Sequence, residues 1–215
     1  MNWNVILTTG VILLSGAISA QSAENNKTKN QILNSGYTYS DYHRVPPFRR
    51  LDVDEVNKDR RAAERGDASA QFKMALRYDS GQGVPQNYTK AVEWLNKAAE
   101  QGFVKAQYNL GSMYYSGQGV PQDNAEAAKW FLLAAEGGYA SAQKNLGAMY
   151  GNGQGMAQSN TEAYIWSSIA AESGDAGAAG NRDFAGSLLS PEELSSAQIR
   201  ATNMYTEIQH RVEVD

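Results

Sequence analysis

Ser141-Ala-Gln-Lys144 matches a Ser-x-x-Lys pattern, in which the lysine helps turn the serine hydroxyl into a nucleophile for acyl transfer. Sites of that kind also use Lys-Thr-Gly and Ser-Asp-Asn partner motifs, and neither occurs in this chain. A second candidate is SGQGVPQ at 80–86, repeated unchanged at 116–122 and altered to NGQGMAQ at 152–158. Glycine-rich loops cradle phosphates, but such a loop wants a Lys-Ser or Lys-Thr pair opening the next helix, and none follows. Only His43 and His210 offer imidazole, and the chain has no cysteine, so no metal-ligand spacing emerges. No catalytic, cofactor or metal residue is assigned. The expectation is a protein that is not an enzyme.

The elements behind these stretches explain them better. Gly66, Gly102, Gly138 and Gly174 are each 36 residues from the next. The same step connects Ala70, Ala106 and Ala142, and then Trp94, Trp130 and Trp166. A fixed period of this size marks a solenoid whose units bury their apolar faces on one another. Ser141-Ala-Gln-Lys144 stands in register with Ser69-Ala-Gln-Phe72 and Lys105-Ala-Gln-Tyr108, so it is repeat framework rather than a site.

Within a unit the apolar or small positions 70, 74, 75 and 78 fall on one helical face, as do 91, 94, 95, 98 and 99. Each unit therefore reads as two antiparallel helices. Asn87, Asp123 and Ser159 are N-cap residues after the Gly-Gln-Gly turns, with Glu126 and Glu162 placed to complete capping boxes. Gly102, Gly138 and Gly174 are expected as left-handed C-terminal caps. The three tryptophans, beside paired alanines, are expected to fill the core.

Ala106-Gln107, Leu110-Gly111, Met113-Tyr114, Gly117, Gly119-Val120-Pro121-Gln122-Asp123, Ala127, Trp130, Ala134-Ala135-Glu136 and Gly138 carry a resemblance to the Sel-one-like repeat family. That family is a branch of the tetratricopeptide-like helical solenoids. The resemblance implies an all-α, right-handed solenoid of antiparallel helix pairs with full repeats at about 66–101, 102–137 and 138–173. Residues 51–189 form the whole array, and Ser190-Pro191-Glu192-Glu193 opens a capping helix over 190–210.

Residues 1–20 carry no charged side chain, and their apolar run from Val5 to Ile18 reads as a signal peptide cleaved after Ala20, without stable membrane insertion afterwards, the alternative being retention as an anchored helix. Residues 21–50 are polar and read as a flexible arm. The net charge of −4 has no basic cluster, which gives no footprint for nucleic acid. A periplasmic location follows as the expectation.

With framework positions assigned to packing, recognition falls to positions that vary between copies. First helices of curved solenoids line a concave surface that commonly holds a partner. Facing sets are Phe72, Tyr108 and Lys144; Lys73, Asn109 and Asn145; Arg77, Met113 and Met149; and Asp79, Tyr115 and Gly151. From these, Arg77, Tyr108, Asn109, Tyr115 and Asn145 are the expected partner-binding residues. Leu132, Leu133 and Ile169 stand where copy one is polar, and mark either a covered surface or a second contact patch. The expected function is a periplasmic adaptor binding another protein. The alternative is an immunity protein that inhibits a periplasm-acting toxin or lipase effector.

Overall fold

The computed structural model describes residues 50–175 and 177–214, and the regular structure in them is helical throughout. The signal-peptide reading and nearly all of the arm lie outside the described residues. The chain divides into two units, residues 1–53 and 54–215, and the helix pairs belong to the second. In chain order the described helices are α1 (Arg50–Glu64), α2 (Ala68–Ser80), α3 (Tyr88–Glu100), α4 (Val104–Ser116), α5 (Asn124–Glu136), α6 (Ala140–Asn152), α7 (Asn160–Glu172), α8 (Ala178–Ser187) and α9 (Pro191–Val214). Helices α2/α3, α4/α5 and α6/α7 pair, and α3 packs on α4 and α5 on α6. The result is an all-α solenoid.

The second helix of each pair starts on a side-chain cap. Asn87 accepts from the Lys90 N–H at 2.9 Å, Asp123 from Glu126 at 3.0 Å and Ser159 from Glu162 at 3.2 Å. The expected reciprocal half of the capping box is not what Glu126 and Glu162 make. The N–H of each cap residue already donates to the preceding first helix, at Tyr78, Tyr114 and Tyr150 carbonyls 2.8–3.0 Å away. The glutamates are free to pair elsewhere, Glu126 with Lys129 and Glu162 with Arg200. A complete box forms at α9, where Ser190 N–H donates to Glu193 and Glu193 N–H donates to Ser190 Oγ.

The Gly-Gln-Gly turn is a stacking device. Its first glycine closes the first helix, as Gly117 does with a φ of +71° and its N–H on the Met113 carbonyl. Its second glycine seats the turn on the previous unit. A Cβ at Gly119, whose φ is +76°, would lie 2.6 Å from the Tyr88 carbonyl. The glutamine that follows the turn reaches back each time: Gln86, Gln122 and Gln158 donate to the Asp79, Tyr115 and Gly151 carbonyls at 2.7–2.8 Å.

Adjacent pairs are joined by a second periodic bond. Buried Gln71, Gln107 and Gln143 each donate from Nε2 to the carbonyl of Ala63, Ala99 or Ala135, near the end of the preceding second helix, at 3.1–3.2 Å. Those carbonyls also accept from Gly66, Gly102 and Gly138 in the closing turns. The expected left-handed caps are present, with φ of +83° at Gly102 and +82° at Gly138.

The tryptophans differ from expectation. Trp166 is buried, but Trp94 and Trp130 are only half-buried at the edge of the core. The residue one position on holds the centre, with Leu95 at 3% and Phe131 at 2% exposure. A Cβ added at Gly111 would come within 2.9 Å of the Phe131 ring, so that glycine makes room for the phenyl group. Period alone does not tell two adjacent positions on one helix face apart.

At the C-terminal end α9 packs on α7, and its Ala197, Ala201 and Ile208 join the buried cluster that contains Ile169. Leu132 packs against the same cluster, whereas Leu133 remains 45% exposed. The apolar set flagged in the sequence thus splits by residue. No described helix is long and apolar enough to cross a membrane.

Candidate functional site

Ser141 and Lys144 are not arranged as a nucleophile and its base. Lys144 Nζ lies 2.8 Å from Asp175 Oδ2. The Lys144 ammonium and then the Gly177 amide hold the Asp175 carboxyl below its usual range. Lys144 therefore serves to pin the turn before α8 to α6. Among the described residues, no group of three or more His, Cys, Asp or Glu side chains could hold a metal ion.

The first helices instead form a depression of about 350 Å³, lined by residues from α2, α4 and α6 and floored by Leu95, Met113 and Phe131. Asn109, Tyr115 and Asn145, three of the five expected binding residues, line it together. Asn109 Nδ2 donates to the Lys105 carbonyl at 2.7 Å, which leaves its Oδ1 as an open acceptor. Tyr115 is 40% exposed and Leu76, also in the lining, is 42% exposed. These are apolar walls with nothing of this chain's described residues covering them.

The other two expected residues are spent inside the fold. Arg77 makes two bonds to Asp59 Oδ2, at 3.1 and 2.8 Å, and its equivalents Met113 and Met149 are buried core. Arg77 faces the preceding helix and, unlike Met113, does not line the depression. Tyr108 sits against Tyr139 and Phe131, with ring centroids 4.7 and 5.7 Å apart. Its aromatic character, read as a sign of recognition, is used for packing between two units.

Sequence reasoning passed over Leu76, Ser112 and Gln118, which also line the depression. Asp79 appeared there only as the equivalent of Tyr115, yet it is the one lining residue with a formal charge. A carboxylate at a position otherwise occupied by Tyr and Gly was the available signal.

The Sel1 repeat family model matches residues 68–103, 104–139 and 140–175, in register with the helix pairs. The chain belongs to the Sel1 repeat family. A crystal structure of a Sel1 repeat protein from Oxalobacter formigenes is 37% identical, covering 60% of this chain and 97% of that one, with a TM-score of 0.57. A protective antigen of uropathogenic Escherichia coli strains displaying an SLR fold is 27% identical, with a TM-score of 0.56. The match to it covers 73% of this chain and 42% of that protein. No curated protein matches the chain. Sel1 repeat proteins generally mediate protein–protein interaction, typically as non-catalytic scaffolds.

Proposed function

We propose that this Sel1 repeat protein is a periplasmic adaptor that holds a partner polypeptide along the groove of its first helices. The convergence of Asn109, Tyr115 and Asn145 on one depression carries the reading, because they are polar groups gathered from two successive first helices beside exposed Leu76. Amide and phenol groups beside an apolar floor suit an extended peptide, whose backbone needs both donors and acceptors. The depression falls within the range of roughly 300–1,000 Å³ typical of ligand clefts. The periplasmic location is supported by the uncharged apolar run within residues 1–20, and fractionation of cells expressing the full chain tests it.

The adaptor reading is tested by affinity capture from envelope extracts of the source organism. Tyr115→Ala combined with Asn145→Ala should lose the partner retained by the parent chain, with the thermal midpoint shifted by no more than about 4 °C. Retention of the partner by that variant would place binding elsewhere on the molecule.

A further inference from the structure

The groove presents an excess of hydrogen-bond acceptors. Ser112 and Ser116 hydroxyls donate inward, to the Tyr108 and Ser112 carbonyls at 3.1 and 2.9 Å, and turn their lone pairs outward. Asn109 does the same with its amide group. Asp79 adds a carboxylate with no ion pair or side-chain hydrogen bond among the described residues, since only its backbone carbonyl is used, by Gln86. The nearest arginine in the sequence, Arg77, is committed to Asp59. Burial raises the Asp79 carboxyl pKa above its ordinary value, so this charge is partly desolvated and uncompensated. An unpaired, partly dehydrated carboxylate is costly unless a cation from outside completes it.

We infer that the partner segment enters this groove with an arginine side chain, held by Asp79, next to an apolar residue that rests on Leu76 and Tyr115. The inference deepens the adaptor reading and depends on it. Guanidinium carries five N–H donors and no acceptor, which complements a lining of open acceptors. It pairs with a carboxylate in bidentate fashion, stacks on an aromatic ring such as Tyr115, and sheds water more readily than an ammonium group. Asn145, whose side chain makes no hydrogen bond among the described residues, offers a donor and an acceptor to the segment's backbone.

The test titrates the ¹⁵N-labelled full chain with N-acetylated, C-amidated Ala-Leu-Arg-Leu-Ala and with versions carrying Lys, Gln or Glu at the centre. The arginine peptide should bind about tenfold more tightly than the glutamine peptide, with shifts at Tyr115 and Asn145. Asp79→Asn should erase that preference while the protein still melts cooperatively. Equal affinity for the arginine and glutamine peptides, or shifts confined to other faces, would overturn the inference. Lysine binding as well as arginine would overturn the guanidinium choice. Free arginine amide binding as tightly as the peptide would overturn a polypeptide occupant. Affinity capture separates the two readings. If Asp79→Asn keeps the partner and Tyr115→Ala loses it, the cation falls and the adaptor stands. If both variants keep it, the groove itself is wrong.

Discussion

One register of the solenoid is filled differently in its interior and at its ends. Leu95 with Met113, and Phe131 with Met149, occupy it in the interior as buried apolar pairs. One step earlier the same register holds Asp59 and Arg77, ion-paired at 2.8 Å with side chains 13% and 17% exposed. One step later it holds Ser167 and Ala185, both small and buried. An interior pair has neighbours on both sides and gains by excluding water. Among the described residues a terminal pair has one neighbouring unit, so charge is tolerated where it is ion-paired and bulk is dispensable where a capping helix closes over. At the far end Tyr164, Ile165, Trp166 and Ile169 supply the buried volume instead, in the cluster shared with α9.

Truncation should separate interior from end most sharply. Phe131→Ala is expected to cost about 3–5 kcal/mol, because the phenyl group is nearly fully buried and Gly111 leaves nothing to collapse into the space. Ser167→Ala should cost less than about 1 kcal/mol or stabilise, since its buried hydroxyl has no hydrogen-bond partner among the described residues. Equilibrium urea unfolding of both variants measures the contrast, and equal losses would break it.

A smaller effect is expected at the first end. Arg77→Met leaves Asp59 largely buried without its partner and should cost about 1–3 kcal/mol. Adding Asp59→Leu recreates the interior pair and should recover most of that loss. A double variant no more stable than the single one would show that the end is not a polar version of the interior register.

The smallest effect is one of pH. Asp79 has a carboxyl pKa raised by burial, so its protonated form is favoured by the fold. Its contribution is present below the unfolded pKa and is lost as pH rises through the folded one. Asp79→Asn should therefore melt slightly higher than the parent at pH 7, with the gap closing below about pH 4. Asp175, whose pKa is lowered by Lys144, has the opposite sign: its contribution is present at neutral pH and lost on acidification. Melting curves for Asp79→Asn and Asp175→Asn across that range read the two signs.

Much of the array was legible because its determinants are local. Asn87, Asp123 and Ser159 cap helices with their own side chains, and Gly102 and Gly138 reverse the chain by their own φ. Asn109, Tyr115 and Asn145 were recognisable as candidates because their positions vary between copies, with Lys73 and Asp79 in the first. Arg77 and Tyr108 stand at varying positions as well, but their partners Asp59 and Tyr139 lie 18 and 31 residues away in the sequence. Variation between copies marks a position that framework packing leaves open. It does not distinguish a residue facing solvent from one facing a neighbouring helix with an unusual partner.

The sequence alone determined the helix pairs, their 36-residue step and the turns that join them. Those follow from residues acting within one helix or one turn, where spacing is equivalent to geometry. Only the tertiary structure decided that Phe131 rather than Trp130 holds the centre, that Arg77 faces inward, and that Asp79 lines the groove with no side-chain partner among the described residues. Each depends on which neighbour fills the space first, and that is settled when units stack, because volume and charge are balanced across the junctions and not along the chain.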